Sequence, residues 1–138
     1  MLAATSNPES ASVQTAMRVR GSQEGRTVAG GIAARAAQWN REHYAGREKG
    51  SIGVVLGATV DQELLGIDVD DLAVEPDTPI LAPGFGHQGA RFEDVKEIFG
   101  KSSENVIVNA SRSILGDGLE GLDAAIDHHN ELLRRAFK

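Results

Sequence analysis

Short, continuously apolar runs recur along this chain, each closed by a small or polar turn and followed by a helix-like pattern. The clearest is Ile52-Gly53-Val54-Val55-Leu56, which Gly57-Ala58-Thr59 ends. A run apolar at every position, rather than at alternate ones, is what a parallel strand buried on both faces requires. Strands alternating with helices predict an α/β chain built from parallel (β/α) units.

The unit occurs four times, although its sequence does not repeat. Leu2 to Thr5 reads as a strand remnant and runs into Ser6-Asn7-Pro8-Glu9. There Asn7 suits an N-cap and Pro8 the first helical position, with a short helix to about Met17. A polar turn over 22–25 precedes a longer helix over 26–44. It carries Val28, Ile32, Ala36 and Trp39 at spacings of three to four, which places Trp39 in the core. Gly30 and Gly31 weaken that helix by about 1 kcal/mol each relative to alanine. Either they admit a close neighbour, or the helix boundary lies elsewhere. The second strand leads to a short helix over 61–66 and an acidic connector over 68–79, in which Asp70-Asp71 reads as a solvated loop. The third unit is Pro79-Ile80-Leu81-Ala82, a glycine-rich turn and a helix over 91–99. The fourth is Val106-Ile107-Val108-Asn109-Ala110, the turn Ser111-Arg112-Ser113 and a terminal helix over 119–137. Leu122, Ile126, His129, Leu133 and Phe137 form its apolar stripe.

The turn Pro83-Gly84-Phe85-Gly86-His87-Gln88-Gly89 carries the most chemistry. Its glycines let the backbone take positive φ and approach a ligand closely. Main-chain amides around Gly86 and Gly89, next to a helix start, suit an anion. Arg112 stands at the end of the following strand, and its guanidinium is a permanently charged fork for phosphate oxygens. Two neighbouring βα turns of this kind make the phosphate site found after strands seven and eight of many (β/α)8 barrels. Simpler readings exist for each residue: an ordinary tight turn for 83–89, capping for Ser6 and Asn7, a surface arginine at 112. His87 reads as a turn residue. His128 and His129 diverge by about 100° on a helix, so neither they nor Asp70-Asp71 predict a metal site.

Length sets a limit. The 138 residues suffice for one core, whereas a complete (β/α)8 barrel needs about 200 residues at least. The formal net charge of −6, from 14 basic and 20 acidic residues without a basic cluster, disfavours nucleic acid and anionic membrane as partners. The absence of cysteine excludes disulfides and fits a reducing cytoplasm. No apolar run approaches the roughly 20 residues that span a bilayer, and the N-terminus lacks a signal-peptide pattern. A cytoplasmic protein is expected.

Thr5-Ser6-Asn7-Pro8, the run from Ile52 to Thr59, the turn from Pro83 to Gly89 and Ser111-Arg112 together resemble, in order and spacing, the C-terminal half of orotidine 5'-phosphate decarboxylase. The likeness is to the bacterial branch with Ser-Arg after the last strand, and it covers essentially the whole chain. It implies strands five to eight of a (β/α)8 barrel and the conversion of orotidine 5'-monophosphate (OMP) to UMP and CO2 without metal or organic cofactor. It further implies that Ser6 contacts the pyrimidine edge, Gln88 bridges pyrimidine and phosphate, and Arg112 with nearby amides holds the phosphate. Asn7, Thr59, Pro83, Gly84, Gly86, Gly89 and Ser111 complete the implied binding set.

By the same resemblance, catalysis depends on an Asp-x-Lys-x-x-Asp motif on the third strand and on a further lysine from the second, and one aspartate usually comes from the partner subunit of a dimer. The chain has no such motif. Asp94-Val95-Lys96-Glu97-Ile98-Phe99 fails at its last position and reads as a surface charge pair on a helix. No catalytic residue is therefore assigned. Met1 falls inside the expected fifth strand, so the chain reads as one partial-barrel domain over 1–138, truncated on its N-terminal side. Its expected partners are the OMP or UMP nucleotide and either the missing N-terminal half-barrel or a second copy. The alternative reading is a non-catalytic nucleotide-binding half-barrel, or remnant, that self-associates.

Overall fold

Four strands form one parallel sheet in the order of their appearance: β1 (Leu2–Thr5), β2 (Val54–Leu56), β3 (Ile80–Pro83) and β4 (Val106–Asn109). A computed structural model of the chain describes residues 1–5, 7–116 and 118–138. Helices α1 (Ala11–Gln14) and α2 (Val28–His43) lie between β1 and β2, and α3 (Val95–Phe99) between β3 and β4. Helices α4 (Arg112–Leu115) and α5 (Leu122–Ala136) follow β4. Among the described residues no helix is long and apolar enough to cross a membrane.

Register explains the core. Val54 pairs with Ile80 and Ile80 with Val106, so one face carries a continuous apolar row. Val54, Leu56, Ile80 and Ala82 are fully buried there, in one cluster with Ala33 and Ala36 of α2 and Val95 and Phe99 of α3. The other face differs from expectation. Val55 and Leu81 are only half-buried and Ile107 is 53% exposed. Burial on both faces, the sequence expectation for such runs, is therefore met on one face only among the described residues.

Helix α2 starts two residues later than expected because Thr27 caps it, its hydroxyl oxygen accepting from the Gly30 amide at 2.9 Å. Gly30 resolves the alternative left by its sequence. It lies inside the helix, where a β-carbon would fall 2.4 Å from the Gly66 carbonyl oxygen, so close approach is its reason. The buried stripe is Ala29, Ala33, Ala36, Ala37 and Asn40, about one position round from the expected one. Small side chains let this helix sit close to the sheet. Trp39 consequently turns outward, 37% exposed, stacks on His43 with ring centroids 3.9 Å apart and lies under Arg35.

Asn40 fastens the base. Its fully buried amide nitrogen donates to Ile52 O at 2.8 Å and Thr78 Oγ1 at 3.2 Å, and its oxygen accepts from Ile52 N at 3.1 Å. The α2 end is thereby tied to the segments that lead into β2 and β3.

The remaining helices are shorter or shifted relative to the sequence reading. Residues 61–66 form successive turns rather than a helix, with the Asp61 carboxylate accepting from Leu64 N at 2.9 Å. The acidic connector contains a 3-10 helix, Val69–Ala73, capped by Asp68. Asp70 is not merely solvated: its carboxylate meets Lys101 Nζ at 2.9 Å and accepts from the Lys101 amide at 3.2 Å. On α5 the packed residues are Leu132, Leu133 and Ala136, with His129 against Phe92 at 4.4 Å between centroids. Ile126 and Phe137, expected on that stripe, are 38% and 39% exposed.

Candidate functional site

The glycine turn is built on Phe85, which is 2% exposed and packs against Phe92 and Phe99. Around this anchor Gly84, Gly86 and Gly89 take φ of 115°, 70° and 115°. These are left-handed values that side-chain-bearing residues rarely adopt. Residues Gly86–Gln88 form one 3-10 turn. It is internally braced: Gly86 N donates to Ala90 O at 2.8 Å, Gly89 N to Gly86 O at 3.0 Å and Ala90 N to Gly84 O at 3.1 Å. The Gly86 and Gly89 amides, expected from the sequence to face an anion, are thus occupied within the turn. The His87 amide, early in this 3-10 turn, is the one left without an intrahelical acceptor, because the i→i+3 pattern of the turn sends Gln88 N back to Phe85 O.

The second loop comes directly against the first. A β-carbon on Gly86 would fall 2.6 Å from the Ser113 hydroxyl oxygen. Between the loops lies a cavity of about 40 Å³, walled by Gly84, Phe85, His87 and Gln88 on one side and residues 109–112 on the other. A single water needs roughly 10–15 Å³ of such volume, so the space suits a small anion rather than a nucleoside. Among the described residues no carboxylate lines it, whereas Arg112 and His87 do. Arg112 is exposed and makes no ion pair with a described carboxylate. A cation-lined concavity without acids favours a negative ligand.

Asn7 and Thr59 stand apart from this cavity. They line a second one of about 260 Å³, with Thr5 and Ala11 on one wall and Val60, Asp61, Leu64 and Leu65 on the other. Asn7 also caps: its side-chain oxygen accepts from Glu9 N at 3.1 Å, at the start of the 3-10 turn Pro8–Ser10 rather than of an α-helix. The two cavities adjoin through Gly84, where a β-carbon would lie 3.3 Å from Ala58 N and 3.4 Å from Thr59 Cγ2. Pro83 O accepts from Ala58 N at 2.8 Å and joins the mouths of β2 and β3. Ser6 lies outside the described residues. Ser111 lines the small cavity beside Arg112, and its carbonyl accepts from Leu115 N at 2.8 Å. Asn109 was not singled out in the sequence. It lies opposite Pro83 at the end of β4 and lines the same cavity, and a polar residue ending an apolar run was the available signal.

Parallel strands with polar loops gathered at their C-terminal ends define part of a (β/α)8 barrel, a class that binds its ligands at that rim. No family model matches the chain. Curated relatives do: an orotidine 5'-phosphate decarboxylase of Streptomyces coelicolor is 37% identical over 99% of this chain and 45% of its own length. One from Salinispora arenicola is 42% identical over 92% of this chain and 42% of its own. The crystal structure of a Streptomyces avermitilis protein, provisionally assigned to the same enzyme, superposes with a TM-score of 0.75. It is 39% identical, over 98% of this chain and 43% of that one. The chain is a relative of the C-terminal half of orotidine 5'-phosphate decarboxylases. It spans about half the length of the curated relatives it matches.

Proposed function

We propose that this chain is the phosphate- and pyrimidine-binding half of an orotidine 5'-phosphate decarboxylase, acting in the cytoplasm on OMP, with UMP and CO2 as products. The observation that carries the reading is the meeting of the glycine turn and the Ser111-Arg112 loop around one small cavity that Arg112 lines and no described carboxylate does. Arg112 would hold the phosphate by charge-assisted hydrogen bonds, helped by the amide of His87. The Gln88 side chain would reach from phosphate to pyrimidine. Pro83, Gly84, Gly86 and Gly89 shape the turn, and Ser111 places the arginine. Ser6 is assigned to the pyrimidine edge, with Asn7 and Thr59 at the adjoining mouth.

Loss of CO2 leaves a carbanion on the pyrimidine, and its protonation needs an acid that this chain does not supply. Its contribution is binding energy remote from the reacting carbon, which lowers the barrier when it is realised in the transition state. The Asp-x-Lys-x-x-Asp motif and the further lysine would come from an N-terminal half, and the 138-residue chain alone is expected to show no turnover. Residues 1–138 would form a single partial-barrel domain. Strands β1 and β4 are the sheet's edges and Ile107 is 53% exposed, which supports closure by four further strands. Those strands would come from an N-terminal half-barrel or, failing that, from a second copy.

Calorimetric titration of the chain with UMP and with uridine tests the binding role. Tighter binding of UMP is expected, and its affinity should fall as salt is raised. Equal binding of the two, or none, would remove the reading.

A further inference from the structure

Ser113 follows Arg112 in α4, and its hydroxyl oxygen is buried without a hydrogen-bond partner among the described residues. Such a group is destabilising where it stands, because folding has taken its water away and returned nothing. Two other buried side-chain atoms share this condition, Gln14 Oε1 and Gln62 Nε2, but they belong to α1 and to the turns after β2. Ser113 alone of the three sits where the two loops of the small cavity meet. Its Oγ and Cβ lie 2.6 and 2.9 Å from the place a β-carbon on Gly86 would take. A hydrogen at Gly86 is thus what lets the serine side chain approach the turn.

We propose that Ser113 is a positioning residue for the phosphate group: its hydroxyl acquires its hydrogen bond when an anion draws the Gly86–Gln88 turn and Arg112 together. The inference rests on the phosphate-binding role given above and names a residue which that role does not use. Ser113 does not line the cavity, so it acts through the spacing of the two loops rather than by touching the ligand. The acceptor we assign belongs to the same turn. The Gly86 carbonyl takes one bond, from Gly89 N at 3.0 Å, and a carbonyl oxygen has two lone pairs. In this arrangement the Ser113 hydroxyl makes its hydrogen bond as the anion is bound.

The test is Ser113→Ala, compared with the unaltered chain in calorimetry with UMP and uridine and in thermal unfolding without ligand. The expected result has three parts. The ligand-free melting temperature is unchanged or raised, since the hydroxyl removed had no partner. UMP binds about three- to tenfold more weakly, the loss of one ordinary hydrogen bond. Uridine binds as before. A melting temperature lowered without ligand, or UMP affinity unchanged, would overturn the inference while leaving the phosphate site standing. If the unaltered chain itself fails to prefer UMP over uridine, both fall together. Ser113→Cys is the second variant, keeping the bulk while weakening the donor. It should lose UMP affinity as alanine does, and unaltered affinity in it would mean that Ser113 acts by shape alone.

Discussion

Asn40 occupies the space that a side chain on Gly50 would need: a β-carbon there would fall 2.1 Å from the Asn40 amide carbon. The same amide serves Ile52 and Thr78, so the asparagine cannot move aside without releasing three hydrogen bonds. Asn40→Ala should therefore destabilise the fold by about 3 kcal/mol, through buried groups left unpaired. Gly50→Ala should also destabilise it, but by much less when Asn40 is already alanine, because the two residues compete for one volume. Urea denaturation of the two single variants and the double variant checks this. Additive losses would show that the contact is not limiting.

Gly84 joins the two cavities with a backbone that a β-carbon would strain. Its φ of 115° disfavours any other residue, and the new carbon would press on Ala58 N at 3.3 Å. Gly84→Ala is expected to cost about 1–2 kcal/mol from backbone conformation alone. It should also displace Thr59, visible as shifted amide resonances at 58 and 59. An unchanged urea midpoint would contradict the strained geometry.

Arg112 is the cation of the small cavity. Arg112→Ala should weaken UMP by about tenfold to a hundredfold, the range of a lost charge-assisted hydrogen bond, and leave uridine unaffected. Arg112→Lys should recover part of the loss only, since an ammonium lacks the planar two-pronged geometry. Equal weakening of UMP and uridine in calorimetry would detach Arg112 from the phosphate.

The Asp70–Lys101 pair predicts a titration. Hydrogen bonds from the Lys101 ammonium and then from its amide, with its charge, hold Asp70 below the ordinary value of 3.8. The hydrogen bond to Asp70 and its charge likewise raise Lys101 above 10.5. The aspartate's contribution is present above its ordinary pKa and is lost as pH falls through the lowered one. The lysine's is complete below its ordinary pKa and is lost as pH rises through the raised one. Both groups are exposed, so the effect on stability is small and sensitive to salt. NMR titration should place the Asp70 carboxyl below the free aspartate range, and Lys101→Met should move it back up.

Ile107 stands 53% exposed on the less covered face of the sheet. Ile107→Lys should leave the unfolding midpoint nearly unchanged, since little burial is lost, while reducing self-association of the 138-residue chain. Light scattering over a concentration series reads the second effect. Unaltered association would show that copies meet elsewhere.

The strands were legible in the sequence. Their apolar runs are bounded by glycine, threonine and serine, and β3 and β4 fall within one residue of the expected limits. The helix phases were not. On α2 the alanines pack and Trp39 turns out, a choice made by how closely the helix can approach the sheet, which residue type alone does not record. At the site, the meeting of the glycine turn with the Ser111-Arg112 loop followed from consecutive strands ending at one rim. The use of the Gly86 and Gly89 amides inside the turn did not, because that pairing follows from three positive φ values in sequence. The separation of Asn7 and Thr59 into a cavity of their own depends on how the segment after β1 folds across β2.

Asn40 clamps the ends at which β2 and β3 begin, while the glycine turn and Arg112 stand at the ends where strands finish. Rigidity and recognition are thereby assigned to opposite poles of the sheet. Substitutions at the rim can retune what the loops grip without loosening the foundation, and damage at the foundation is felt by every loop at once.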